Sequence, residues 1–334
     1  MKIIAFFNNK GGVGKTSLVY HLAWMYAEMG LKVVAADLDP QANLSTMFLD
    51  TDRLEELLPD GLHPDTILGV IQPILDGTGD IAPPHVEEIA DNIGLIVGDL
   101  GLSRFEDKLS DAWPRCLDGD VAAFRTVSAF YRAIRLAAEG REAEVALVDV
   151  GPNLGALNRA AIIAAQYVVI PLAPDLFSLQ GLKNLGPTLR QWRSGWTERM
   201  KKRPDDPRLP LPNGEMRPAG YVTLQHAIRL DRPVAAYRKS MDRIPSVYRK
   251  FVMDETDGTD AFVGNDPYSL ATLKNYRSLM PMAQDARKPI FALKVADGAI
   301  GAHGTAAHAC YTDFKKLAEA IARQCGIVVP RRWE

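Results

Sequence analysis

The stretch that most restricts the fold is the first one, KIIAFFNNKGGVGKTSLVYHLAWMYAEMG, residues 2–30. Ile3, Ile4, Ala5, Phe6 and Phe7 form an unbroken apolar run, the pattern of a strand buried on both faces. A glycine-rich loop follows at once. A helix is then predicted from about Lys15 to Met29, stopped by Gly30, which suits the left-handed position after a helix end. A buried strand feeding a glycine loop and a helix is the opening of a β-α-β unit. It commits the chain to a parallel sheet with helices packed on it.

The remaining pattern repeats that unit. LKVVAADLD, NIGLIVGD, EVALVDV, YVVIPLAP and AGYVTL read as further strands, and KPIFAL as a last short one. Helices are predicted over 120–139, 157–165, 179–199, 233–251 (broken at Pro245) and 311–324, with short helices and loops over the proline-containing stretch 44–94. The expectation is an α/β fold, a single domain over residues 1–334, which the motif GGVGKT between its first strand and first helix marks as a P-loop NTPase domain. Its sheet is mostly parallel with helices on both faces, and a helical, basic elaboration fills its C-terminal third. The Pro- and charge-rich segment 201–218 and the acidic segment 253–267 read as insertions. A 47% hydrophobic content is enough to bury a core of that size.

Several classes are excluded. No run of about 18 apolar residues occurs, so no membrane-spanning helix is expected. MKIIAFFNNK turns polar too soon for a secretory signal. Cys116, Cys310 and Cys325 contain no CxxC pair, which argues against a structural zinc, an iron–sulfur cluster or a disulfide framework. A reducing cytoplasm fits this composition.

The chemistry sits in the loop. Gly11, Gly12, Val13 and Gly14 let backbone N–H groups turn inward to cradle phosphate oxygens, at a helix N-terminus that adds partial positive charge. Lys15 can reach β- and γ-phosphates, Thr16 can ligate Mg²⁺, and Ser17 can donate to the α-phosphate. Such a loop requires a carboxylate near the metal. Asp149 ends the strand EVALVDV in a Walker B position, holding a metal water. Asp37 and Asp39 end KVVAADLDP, one available to the metal shell and the other to orient an attacking water.

KGGVGKTS, DLDPQANLS and LVDVGPNLG together resemble the ParA/MinD branch of deviant-Walker ATPases, ParA more closely than MinD. The likeness continues through VVIPLAPDLFSLQGLKNL and, loosely, over 217–325. It implies an ATP- and Mg²⁺-dependent ATPase, slow and stimulated by a partner protein, which dimerises around ATP. Lys10 resembles the family's signature lysine, which reaches the partner subunit's phosphates. Asp39 resembles the catalytic switch aspartate. Asp37 and Asp149 resemble metal-shell residues, and 151–154 the second switch. The family places adenine contacts near Thr223 and Asn275. Where the usual Asp-x-Pro-Pro stands, this chain reads Asp149-Val150-Gly151-Pro152, so a more flexible second switch is expected. A second cation at the phosphates stabilises charge developing in phosphoryl transfer, and supplying it in trans makes the site depend on dimerisation.

The resemblance further implies non-specific DNA binding in the ATP state, nucleoid association, a ParB-like or cargo-adaptor partner, and a role in partitioning a plasmid, chromosome region or other cargo. Charge agrees. Residues 190–250 carry 15 Lys/Arg against 6 Asp/Glu, although the whole chain is at -2. The cations are Arg190, Arg193, Arg229, Arg232, Arg238, Lys239, Arg243, Arg249 and Lys250, taken as a cluster. The alternative is a MinD-like membrane-associated or cargo-positioning ATPase without DNA binding. It needs a C-terminal amphipathic helix, and the face formed by Phe314, Leu317, Ala318 and Ile321 is read instead as packing on the sheet, with Trp333 beyond it. An electron carrier like the nitrogenase iron protein would need paired interface cysteines, which these three do not supply. A nearly inactive adaptor is disfavoured by the complete set Lys10, Lys15, Asp39 and Asp149.

Overall fold

The computed structural model describes residues 1–224, 234–255, 262–274, 276 and 279–330, with side chains from residue 239 onward in the helix that begins at Val234. Among the described residues, eight strands form one sheet: β1 Lys2–Phe6, β2 Val33–Asp37, β3 Glu87–Ala90, β4 Ile93–Ile96, β5 Val145–Asp149, β6 Tyr167–Leu172, β7 Arg217–Leu224 and β8 Ser269–Leu273. Their order is β3-β4-β2-β5-β1-β6-β7-β8. Every pairing is parallel except β3 with β4. This bears out the α/β class and the mostly parallel sheet.

The helices are α1 Lys15–Glu28, α2 Asn43–Phe48, α3 Thr51–Leu57, α4 Ile67–Asp76, α5 Phe105–Arg115, α6 Val121–Val127, α7 Ala129–Arg141, α8 Ala156–Ala164, α9 Leu176–Met200, α10 Val234–Val247, α11 Leu279–Ala286 and α12 Ala302–Cys325. β1 shows why its sequence is apolar throughout. Ile3, Ala5 and Phe7 point into a core shared with α4 to α9, while Ile4 and Phe6 point into one shared with α1 and α12. Phe314, Leu317, Ala318 and Ile321 of α12 are all buried in that second core. The helix face considered for membrane targeting is therefore spent on packing. No described helix is long and apolar enough to cross a membrane.

Local differences from the sequence reading have local causes. The helix expected over 120–139 is two, α6 and α7, meeting at Ser128, whose hydroxyl donates to Phe124 O (2.7 Å) and accepts from Arg132 Nε (3.1 Å). KPIFAL is not a strand but a 3₁₀ turn, Ile290–Ala292, because the Ile290 N–H donates to the buried His21 ring (3.2 Å) rather than to a neighbouring strand. The last strand is instead β8, a half-buried edge strand with little apolar signal. The antiparallel edge strand β3 is also additional. α10 does not break at Pro245. It runs on to Val247 and passes into a π turn, Tyr248–Met253. α9 and α12 both begin earlier than expected.

A candidate nucleotide site at the strand ends

β1 lies between β5 and β6, and β2 lies on the far side of β5. The carboxyl ends of β1, β2 and β5 therefore meet where the order of connection reverses, the place where open α/β sheets bind ligands. The glycine loop leaves β1 there. Gly12 and Gly14 have φ of 71° and 75°, which residues with a Cβ rarely adopt, and this turn delivers the chain into α1.

Lys15 follows and is nearly buried. Its ammonium lies 3.3 Å from Asn8 O and 3.5 Å from Lys10 O. Burial lowers its pKa, opposed by the charges of Asp149 and Asp39. Asp37 and Asp149 face one another in register on β2 and β5, and both are fully buried. Burial pushes both carboxyls up, and the negative charge of neighbouring aspartates adds to it. Asp37 is tied down: its Oδ2 accepts from Ser45 N and Ser45 Oγ, both at 2.8 Å. The Ser45 hydroxyl in turn accepts from Gly98 N (2.8 Å). Gly98 has to be glycine for space, since a Cβ would sit 2.7 Å from Asp37 Cγ. Neither Asp149 oxygen has a hydrogen-bond partner of full geometry, although the Thr16 hydroxyl lies close enough to favour its ionised form.

Two orphaned oxygens beside a phosphate loop fit a hydrated Mg²⁺ that arrives with its nucleotide. Among the described residues no three His, Cys, Asp or Glu side chains are grouped to hold a metal on their own. Mg²⁺ needs no such cage, because it commonly takes one or two carboxylates and completes its shell with phosphate and water. The residues that would hold it are Thr16, Asp149 and Asp37. Bound there, it would neutralise charge on the phosphate oxygens.

Asp39 follows β2 and is nearly buried, its Oδ1 accepting from Gln41 N (3.0 Å). It packs against Gly151, where a Cβ would lie 3.2 Å from that oxygen. The second-switch segment 151–154 and the helix start after it are bonded from two sides. Asn158 Nδ2 donates to Gly151 O (2.8 Å) and Asn153 O (2.7 Å). Glu106 on α5 caps α8, accepting from Ala156 N (2.5 Å) and Leu157 N (2.8 Å). Ser45, Gly98, Glu106 and Asn158 were not legible as site residues. Ser45 alone had a local hint, its place just after DLDPQAN; Glu106 is brought in only by the packing of α5 on α8.

Ser17 faces His21 (3.4 Å) and, with Gly12, Val13, Gly14, Leu224, Lys274, Tyr276 and Met280, lines an apolar cavity of about 220 Å³ beside the loop. Thr223 is buried and bonds Thr272 (2.7 Å). Asn275 lies outside the described residues. Within the single chain, the Lys10 ammonium pairs with Asp175.

Among the described residues, the members of the basic cluster divide between internal hydrogen bonds and solvent. Arg193 donates to Glu215 O (2.8 Å) and Met216 O (2.6 Å), and Arg190 to Phe251 O (2.6 Å). Arg249 bonds Asp266 (2.7 Å), within a group that also takes in Tyr221. These three stitch α9, β7 and the π turn together, because backbone carbonyls and one buried carboxylate lie within their reach. Lys239, Arg243 and Lys250 are exposed. Arg229, Arg232, the Arg238 side chain and Trp333 lie outside the described residues.

A family model described as an AAA domain matches residues 1–202. Protein IncC of Escherichia coli is 32% identical over 193 residues, 58% of this chain and 47% of that protein. Chromosome partitioning protein ParA of Caulobacter vibrioides is 29% identical over 201 residues, 60% of this chain and 67% of that protein. The match thus spans about half the length of IncC. The ATP complex of Cyanothece McdA superposes with a TM-score of 0.62 at 15% identity, covering 99% of both chains, a likeness of fold. The family match takes in more than half of the chain, including the glycine loop and all three strand-end aspartates, and the chain belongs to the ParA/MinD-like family of partition ATPases.

Proposed function

We propose that this protein is a slow, partner-stimulated Mg²⁺-ATPase that dimerises on ATP, binds DNA without sequence preference and so partitions or positions a plasmid, chromosome region or other cargo, acting as a single domain. The observation that carries the reading is the burial of Lys15 beside the unpartnered Asp149 carboxylate, with Asp39 packed against Gly151 and its charge acting on Lys15. In this reading the glycine loop and Lys15 hold the phosphates, and Asp39 orients the attacking water. Asp37 and Asp149 order the metal's water shell, Lys10 serves the opposite subunit, and the apolar cavity takes the base. Leu176 and Phe177, exposed at 65% and 76% next to Asp175, the partner of Lys10, supply apolar area for a second copy to cover. Lys239, Arg243 and Lys250 supply phosphate contacts, and two copies double them.

Binding to a random-sequence duplex, measured with ATP, with ADP and without nucleotide at two salt concentrations, tests this. Tight binding is expected with ATP alone, and weaker at higher salt. Lys15→Ala should abolish the ATP effect. Equal binding in all three states would overturn the DNA switch. ATP-dependent pelleting with liposomes instead would favour the membrane-associated alternative, which the burial of α12 argues against.

A further inference from the structure

Lys10 is not idle in a single chain. Its ammonium is engaged by Asp175 Oδ2. Asp175 uses its other oxygen to accept from Ser178 N (2.8 Å), which makes it the N-cap of α9. The two side chains are only 28% and 20% exposed. Both ends of the pair are anchored to the sheet. Asn8 Oδ1 accepts from the Lys10 N–H (3.0 Å), and Asn8 Nδ2 donates to Pro171 O (2.6 Å) on β6, the strand that leads to Asp175. α9 is seated tightly on the loop as well. A Cβ on Gly181 would lie 2.8 Å from Asn9 Oδ1.

We propose that Asp175 is a positioning residue that stores Lys10 within its own subunit, so that Lys10 reaches a partner's phosphates only when it is drawn off Asp175. The inference rests on the dimer of the proposed function. Its consequence is a threshold. Leaving Asp175 strips Lys10 of one carboxylate, and the exchange is favourable only where the incoming ligand concentrates more negative charge. A triphosphate meets that demand better than a diphosphate. Asp175 thereby helps a second copy to distinguish the two. Burial raises the Asp175 pKa, yet the Lys10 and Ser178 hydrogen bonds outweigh it and hold the carboxyl below its usual range, as befits a carboxylate already engaged. Leu176 and Phe177 stand exposed on the next two positions, so the surface a second copy would cover is also where the lysine must be released.

Asp175→Asn separates storage from folding, because asparagine caps a helix about as well as aspartate but carries no charge. A melting temperature lowered by no more than a few degrees, the loss of one ion pair, confirms that the cap survives. In the nucleotide-free chain, amine labelling of Lys10, read by peptide mass spectrometry against Lys2, is expected to rise about threefold to tenfold in Asp175→Asn. Sedimentation should show half-maximal dimerisation at an ATP concentration lower by a similar factor, with ADP now supporting some dimer. Equal Lys10 labelling in the two proteins overturns the stored lysine, whatever the dimer does. Faster labelling with an unchanged ATP requirement overturns the threshold. Faster labelling in a protein that never dimerises supports the cis pairing and refutes the dimer reading instead.

Discussion

His21 occupies a position that a sequence can present only as one more apolar-face residue of α1. It is completely buried, stacked on Phe314 at 4.8 Å between ring centroids. Its Nδ1 donates to Ser17 O (2.7 Å) and its Nε2 accepts from Ile290 N (3.2 Å). That arrangement suits a neutral ring, and burial lowers the pKa from 6.5 to about 4. An unfolded chain takes up the proton near 6.5, the folded one only near 4. Stability from this group is therefore complete above pH 6.5 and drains away as pH falls toward 4, by about 3 kcal/mol. Urea unfolding of the nucleotide-free protein at pH 7 and pH 4.5 should show a fall of that order beyond the carboxylate contribution. In His21→Gln the fall should shrink, although the variant starts less stable. An equal fall in both proteins would show that His21 is not the group. At this scale Lys15, Thr16 and Asp149 were legible from motif and strand ends. Ser45, Glu106 and His21 were not, because their roles arise from partners 8, 50 and 269 residues away.

Among the elements, the seam between α9 and the π turn is the tightest close approach at any described glycine. A Cβ on Gly186 would sit 1.8 Å from Phe251 O, and backbone cannot yield as a side-chain tip can. Arg190 donates to that same carbonyl. Gly186→Ala should therefore force α9 away from Tyr248–Met253 and cost about 3 kcal/mol or more, visible as a lower melting temperature. Gly140→Ala, on α7 with open space around it, should leave stability almost unchanged or slightly raise it. Periodicity located the buried strands and most helices well, because a strand covered on both faces cannot hide its apolar run. It misread KPIFAL and missed β3 and β8, since short or half-exposed edge strands carry little pattern and a 3₁₀ turn can be as apolar as a strand.

At the scale of the molecule, the described residues of the basic stretch divide into cations that hold the fold and cations that face solvent. Exchanging Lys239, Arg243 and Lys250 for alanine is expected to weaken ATP-dependent duplex binding. It should also flatten the dependence of log affinity on log salt by about one unit for each phosphate left without its cation. Arg193→Ala should instead lower the melting temperature, by leaving the carbonyls of Glu215 and Met216 without their donor, and spare the salt slope. A triple variant with an unchanged slope would move the nucleic-acid surface elsewhere.

By itself, the sequence determined the strand–loop–helix start, the parallel sheet, the family likeness and the three strand-end aspartates. Each of these is written in contiguous residues whose geometry is local. Tertiary structure decided which carboxylate is tied down and which is left open, which arginines are already spent, and where Lys10 rests. Those outcomes depend on distances between segments far apart in the chain: Asp175 lies 165 residues from Lys10 and Phe251 lies 61 from Arg190. Charge, burial and hydrogen bonding are assigned to a side chain only once its neighbours are in place.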